Sequence, residues 1–157
     1  MKHFTILLSI VLFSACGLSK NSSATAQNKT TSTKIETAPQ NVLIIYSAIT
    51  RGAFLDIKIE DYQISVRKSQ YGPDKIQDIS KTEWDILMNK LNRVDLNTLS
   101  TLKAPSAQRH TDGALSARLH ITENNLKYST TEFDHKNPNS EIKPLVDYII
   151  ALAEEVE

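Results

Sequence analysis

A chain of 157 residues is long enough for one ordinary domain and too short for two well-packed cores once its ends are discounted. Lysine and arginine total 18, as do aspartate and glutamate, so the formal net charge is zero and gives no electrostatic basis for binding nucleic acid or an anionic lipid surface. Cys16 is the only cysteine, which excludes an internal disulfide and a zinc site built on several thiolates.

The first residues have the layout of a secretory signal. Lys2 precedes an apolar stretch over residues 4–13, which ends in the small residues Ser14 and Ala15. This stretch of about 10 residues is well under the roughly 20 that a helix needs to cross the hydrocarbon core of a bilayer. Residues 1–15 are therefore predicted to be a signal peptide.

The end of this segment, Phe13-Ser14-Ala15-Cys16, resembles the lipobox of bacterial lipoproteins, although that family prefers leucine where this chain has Phe13. In that family the cysteine receives a diacylglyceryl group, a dedicated peptidase cuts before it, and the new amino group is usually acylated. The resemblance implies that Cys16 becomes the lipidated first residue of a membrane-anchored protein. Gly17 in place of aspartate resembles the outer-membrane-sorted lipoproteins of Gram-negative type, which implies a cell-envelope location facing the periplasm. The alternative is an ordinary cleaved signal with a chance cysteine.

A polar segment follows the cysteine. Over residues 19–40, Ile35 is the only large apolar side chain, and serine, threonine, asparagine and lysine are frequent. Such a stretch cannot bury enough apolar surface to offset the entropy that ordering costs. We therefore predict a flexible, lipid-anchored linker over residues 16–41 and a single domain over residues 42–157.

The domain begins with three predicted strands. The apolar run over residues 42–48 is typical of a strand that is buried on both faces or central in a sheet. Apolar and polar residues then alternate over 55–60 and over 63–67, as expected for strands with one solvated face. A turn at 61–62 gives a self-consistent register, which is Ile59 with Ile64, Ile57 with Val66, and Asp56 with Arg67.

Two predicted helices flank a second hairpin. Ser80 and Glu83 form the Ser-x-x-Glu pattern of a capping box, and the helix that they open has an apolar stripe in which Trp84 is a predicted core anchor. A short helical turn is predicted near 96–102, strands over 115–121 and 126–133, and a last helix from Pro144. The order βββ-α-ββ-α predicts an α+β fold, with a mostly antiparallel five-stranded sheet and two helices packed on one face.

One group of residues could carry chemistry. Arg109, His110 and Asp112 precede the first strand of the second hairpin, and Asp134 and His135 follow the other strand, so antiparallel pairing brings the two sets to one edge of the domain. Imidazole and carboxylate together could bind a small ligand or a divalent metal. We favour a structural role, because Asp112-Gly113 is a turn pair and a carboxylate at a strand end can accept backbone hydrogen bonds. No catalytic residue, metal or cofactor is assigned.

Three functions are compatible with the sequence, which has no Gly-rich phosphate loop, zinc-protease motif or nucleophile elbow. The strings Arg51-Gly52-x-Phe54 and Phe133-Asp134-His135 give the domain a resemblance to small bacterial envelope lipoproteins, which implies no activity. We expect a non-enzymatic module that binds an envelope protein partner, for example through an exposed sheet edge. The alternatives are a carrier of a small ligand or metal and, least favoured, a hydrolase that uses the histidines and carboxylates of the candidate cluster.

Overall fold

The computed structural model describes residues 41–156. The predicted signal peptide, the lipobox at 13–16 and the linker up to residue 40 lie outside the described residues. Within residues 41–156, no helix has the length and apolar character needed to span a membrane.

The described part of the chain is an α+β domain. Its strands are β1 (Val42–Thr50), β2 (Ala53–Glu60), β3 (Gln63–Arg67), β4 (Lys75–Asp78), β5 (Ser116–Glu123), β6 (Leu126–Ser129) and β7 (Phe133–Asp134). Its helices are α1 (Lys81–Leu91) and α2 (Lys143–Glu154), and two 3₁₀ turns cover Leu96–Thr101 and Gln108–Thr111. The predicted α+β class, the mostly antiparallel sheet and the two main helices are confirmed.

All neighbouring strands pair in the antiparallel sense, in the order β4-β3-β2-β1-β5-β6, and β7 also pairs with β5. The prediction of five strands is therefore wrong, because the described sheet has seven. β4 was missed because all four of its residues are exposed and Ile76 is its only apolar one. A strand at the edge that contributes little to the core has no alternating pattern to detect.

The seventh strand arises from a β-bulge within the second hairpin. Thr130 donates its backbone N–H to the Leu119 carbonyl (3.0 Å), and its Oγ1 accepts the Leu119 N–H (3.1 Å). Ala117 then pairs with Phe133, so two residues stand opposite Arg118 alone. The bulge splits the strand predicted over 126–133 into β6 and β7. It also shifts the alternation by one, which turns Phe133 into the core.

The predicted register of β2 with β3 is confirmed at every pair, including Asp56 opposite Arg67. The connecting residues Asp61 and Tyr62 have φ of 48° and 62°. Two successive left-handed residues form the type of two-residue turn whose twist matches a hairpin. Geometry thus overrides the poor turn propensity of the pair Asp-Tyr.

The core lies between one face of the sheet and the two helices. The capping box is present, since Ser80 N donates to Glu83 Oε2 (2.8 Å) and Glu83 N donates to Ser80 Oγ (3.3 Å). Trp84 is buried as predicted and stacks on Tyr62, with ring centroids 4.6 Å apart. The main buried side chains are Ile44, Tyr46, Ile57, Ile59, Leu87, Leu91, Leu119, Ile121, Leu145 and Ile149.

The other side of the sheet, here called the open face, carries Leu43, Ile45 and Ile49 of β1 and Phe54 of β2. These side chains are partly or largely exposed and do not belong to the helix-covered core. β1 is central in the sheet, as predicted, with β2 on one side and β5 on the other. Its apolar residues point to both faces, although the described helices pack on only one of them.

Candidate functional site

Asp134 organises the loop that precedes β5. The residue is buried, only 2% exposed, and its side chain reaches the start of the 3₁₀ turn Gln108–Thr111. The backbone N–H groups of Gln108 and Arg109 donate to this carboxylate over 2.8 Å and 3.0 Å. Since the residue before the turn supplies no side-chain cap, the distant Asp134 satisfies amide groups that the turn would otherwise leave without acceptors.

Side chains complete the set of donors around this carboxylate. Arg109 Nη1 lies 3.0 Å from Asp134 Oδ1 in an ion pair whose partners are 12% and 3% exposed. Ser106 Oγ donates to Asp134 Oδ2 over 2.5 Å. Each oxygen therefore accepts two hydrogen bonds, which matches the roughly four acceptor positions of an ionised carboxylate. Asp134 has little acceptor capacity left for a metal ion or a substrate.

The environment of Asp134 favours its ionised form. Burial alone would raise its pKa, but the hydrogen bonds from Ser106 and from the side chain and backbone of Arg109 outweigh burial, with a further contribution from Gln108. The pKa of Asp134 is consequently held well below its usual range. A carboxylate so firmly ionised is not suited to give up a proton near neutral pH, which makes it a poor general acid.

Ser106 is held in the same network. Its Oγ donates to Asp134 and accepts a hydrogen bond from Asn137 Nδ2 over 2.7 Å. The hydroxyl thus donates to a carboxylate of low pKa, which is a weak base. The histidine that follows Asp134 points elsewhere. This arrangement fixes the loop to the turn after β7, and it does not activate the hydroxyl as a nucleophile.

His135 points to the opposite side of the strand from Asp134, as alternation requires. Its Nδ1 lies 2.7 Å from the hydroxyl of Tyr46, which is fully buried in the centre of β1. Burial raises the pKa of Tyr46, against a lowering by the backbone amide of Lys136 and with a small further rise from Asp147. The tyrosine therefore keeps its proton, and its hydroxyl and the Nδ1 atom of His135 are hydrogen-bond partners.

The remaining members of the predicted cluster lie elsewhere on the same end of the domain. His110 is exposed within the 3₁₀ turn Gln108–Thr111. Asp112 ends that turn with a left-handed φ of 55° and accepts a long hydrogen bond, 3.4 Å, from Thr50 Oγ1. The structure thus brings Arg109 and Asp134 together, but it turns His135 toward Tyr46. Within residues 41–156, no three His, Cys, Asp or Glu side chains are grouped as a metal site would require.

Histidine burial predicts that the protein loses stability below neutral pH. The pKa of His135 is lowered by burial and by Lys136, against a rise from Glu154, and that of His120 is lowered by burial and by Arg118. Histidine titrates near 6.5 in the unfolded chain, so as pH falls through this range the unfolded chain binds more protons than the folded protein does. Acid therefore stabilises the unfolded chain relative to the folded protein. We expect the urea midpoint to drop between pH 7.5 and pH 5.

Two variants check that histidine is the cause. His135→Gln should flatten the dependence of the urea midpoint on pH between 7.5 and 5, whatever it does to the absolute stability. The exposed His110 provides the matched control, and His110→Gln should leave the slope as in the wild type. An unchanged slope in His135→Gln, or an equal flattening in His110→Gln, would contradict the prediction.

A cleft that was not predicted from the sequence lies at one end of the open face. This distal cleft, of about 400 Å³, lies at the end of the sheet opposite Asn41, where the chain enters β1. Its lining is Ile49, Thr50, Gly52, Ala53, Phe54, Lys68, Ser69 and Gln70. Ile49 pairs across the strands with Phe54, and the Arg67 guanidinium lies 5.2 Å from the centroid of the Phe54 ring. The only hint in the sequence was apolar residues at outward positions beside the β1–β2 turn.

Comparison of the chain with protein-family models, with curated proteins and with solved structures found no match.

Proposed function

We propose that this chain is a cell-envelope lipoprotein, anchored through lipid on Cys16, whose domain binds a protein partner on the open face of its sheet. The anchor is proposed from the lipobox-like residues 13–16 and the short apolar segment before them. The partner site is proposed from one structural observation, the apolar outward surface of β1. No catalytic step is part of this proposal.

The outward surface of β1 departs from what a solvated face requires. Three of its four outward residues are Leu43, Ile45 and Ile49, and the fourth is Ser47. A strand with one wet face ordinarily alternates apolar and polar residues, whereas a continuous apolar run is typical of strands covered on both faces. Apolar surface with a polar rim is a mark of protein interaction sites. We infer that a partner covers this surface.

The charges around the apolar strip favour a partner without a strong net charge. Lys58 Nζ lies 2.7 Å from Glu60 Oε2, and Arg118 Nη2 lies 3.1 Å from Glu132 Oε1. Because these cations are already paired with anions of the same domain, they offer little net attraction to an anionic bilayer. The proposed occupant is therefore a protein surface that buries Leu43 and Ile45, and not a lipid headgroup layer.

Photo-crosslinking in intact cells tests the proposed partner site. A photoreactive residue at Ile45 should give a discrete protein adduct, because this position lies within the proposed interface. The same residue at Ala151, exposed on α2, is the control and should not give that adduct. Adducts that are the same from both positions, only lipid adducts, or none from Ile45 would contradict the proposal.

A second variant separates a specific contact from chance proximity. Ile49→Lys places a charge in the apolar strip, and since Ile49 is 47% exposed, the urea midpoint should change little. The adduct from position 45 should then fall at least five-fold. An adduct of unchanged yield in this variant would show that the open face does not make the contact.

Binding inside the domain is the less favoured candidate. The small, partly open pocket bounded by Leu102, Phe133 and Ile142 has a volume of about 10 Å³. That is room for about one water molecule and far below the volume of a ligand site. The distal cleft on the surface is larger, at about 400 Å³.

A further inference from the structure

The distal cleft combines an apolar wall with positive charge. Ile49 and Phe54 form the apolar wall, and Lys68 is the only charged residue in the lining. Arg67 precedes Lys68 and stacks on Phe54, at 5.2 Å from the ring centroid. The cleft therefore offers a surface for an apolar group next to a cation, with no carboxylate in its lining.

Arg67 lies beside the cleft, but it does not line it and its charge is matched within the domain, so Lys68 is the cation on which the cleft depends. The Arg67 Nε lies 3.6 Å from Asp74 Oδ1, which is within ion-pair range although it is too long for a hydrogen bond. The nearby Asp56 stands opposite Arg67 in the sheet and also faces this cation, but it does not line the cleft.

We propose that the distal cleft binds the free C-terminal carboxylate of a peptide whose last residue is aliphatic. On such a residue the carboxylate and the apolar side chain are attached to one carbon, so both can reach the adjoining cation and apolar wall together. Capture of a free C-terminal carboxylate is a recurrent mode of peptide recognition. The cleft volume of about 400 Å³ is in the range of small-ligand sites and suits a chain end better than a whole strand.

The position of the cleft fits this role. The chain enters β1 at Val42, and the cleft adjoins the far end of that strand, beyond Ile49. Because the nine residues of β1 span roughly 30 Å, the cleft lies about that far from the residue at which the chain enters the sheet. The cleft also continues the open face, because Ile49 and Phe54 belong to both surfaces. The inference thus rests on the proposed partner function and specifies which part of the partner enters the cleft.

Fluorescence anisotropy with labelled peptides tests the inference on the full chain in detergent. The probes are one pentapeptide that ends in leucine with a free carboxylate, the same peptide as its carboxamide, and a carboxamide peptide with an internal aspartate beside leucine. The free acid should bind about ten-fold more tightly than the amide. Its affinity should fall as salt is raised, because an ion pair at the surface is screened.

Substitutions in the chain locate the binding. Lys68→Gln should reduce the preference for the free acid to two-fold or less, and Phe54→Ala should weaken both peptides. Lys75→Gln, an exposed lysine on β4 outside the cleft, is the matched control and should change neither affinity. A wild-type urea midpoint in each variant shows that the domain remains folded.

Each contrary result overturns the inference. These results are equal binding of acid and amide, no binding of any probe, an unchanged preference in Lys68→Gln, or an internal-aspartate peptide that binds as well as the free acid. The proposed partner function is judged separately by the adduct from position 45. If that adduct forms and the free acid shows no preference, the cleft inference fails and the partner function stands.

Discussion

Asp134→Asn should lower the free energy of unfolding by about 3 kcal/mol, the scale of breaking a buried ion pair from one side. The amide keeps the size of the carboxylate but loses its charge, so Arg109, whose side chain is 12% exposed, is left without a counterion. The new NH₂ group also faces donors, where the carboxylate accepted hydrogen bonds from Ser106 and from the Gln108 amide. At the Gln108 amide this places donor against donor, whereas the Ser106 hydroxyl can rotate to accept from the new NH₂ group.

Urea unfolding at pH 7 measures this loss. Glu132→Gln is the matched control, because Glu132 also pairs with an arginine, Arg118, but both side chains are about half exposed. Exposed pairs of this kind contribute about 0–1 kcal/mol, so the control should stay near the wild type. Equal effects of the two substitutions would show that the Asp134 network is no more stabilising than a surface ion pair.

The same substitution should alter the response to acid. In the wild type, the lowered pKa of Asp134 adds stability that is fully present above the unfolded pKa of about 4 and is lost as pH falls below it. Asp134→Asn removes this contribution, so its urea midpoint should change less between pH 5 and pH 3. Hydrogen exchange at the amides of Gln108 and Arg109 should also accelerate, because their common acceptor is altered.

Local patterns predicted the elements that contribute to the core. The alternation of Ile57 and Ile59 with Ile64 and Val66 was sufficient for the register of β2 with β3, because a slip by one residue would expose the whole apolar set. The capping box at Ser80 likewise marked the start of α1. In these cases the residues that contact one another are close in sequence, and their spacing in the sequence shows the contact directly.

The missed features depend on contacts that are distant in sequence. The bulge near Thr130 is stabilised by Leu119 on the neighbouring strand. It directs Phe133 inward, and alternation then sends Asp134 and His135 to opposite sides. Proximity of the strand ends was predictable from antiparallel pairing, but the direction of each side chain was not. That is why one predicted cluster became two, the network around Asp134 and the hydrogen bond between His135 and Tyr46.

The apolar run of β1 does not reveal which of its residues face the helices, and the structure was needed to distinguish them. From the sequence, Leu43 and Ile45 were indistinguishable from Ile44 and Tyr46, since all belong to one continuous apolar segment. The fold places Ile44 and Tyr46 under the helices and leaves Leu43 and Ile45 on the open face. The strand has apolar residues on both faces, but the described helices cover only one of them. This difference is the physical basis for proposing a partner.

Cys16→Ala should abolish lipidation. The protein should then either leave the membrane fraction or accumulate as a precursor that keeps its leader. The resemblance to bacterial lipoproteins implies that the cysteine sulfur carries a diacylglyceryl group and that cleavage before residue 16 depends on it. Two or three acyl chains anchor a protein stably, whereas one chain of myristoyl length binds only marginally. Loss of the sulfur is therefore expected to remove the whole of the proposed anchor and not merely a part of it.

Intact-mass measurement and detergent phase partition check this expectation. The wild type should lack residues 1–15, carry the mass of its acyl groups and enter the detergent phase, while Cys16→Ala should retain the leader or lack the lipid mass. Ser19→Ala, in the predicted linker, is the control and should behave as the wild type. An unlipidated wild type cleaved at another bond would favour the ordinary secretory signal.

The same variant separates location from folding. Because Cys16 precedes residues 41–156, which contain the sheet and the helices, the urea midpoint of Cys16→Ala should equal that of the wild type. If the adduct from position 45 is then lost in cells, the partner lies where only the anchored domain can reach it. If the adduct persists, the open face suffices for recognition and the lipid sets only the local concentration of the domain.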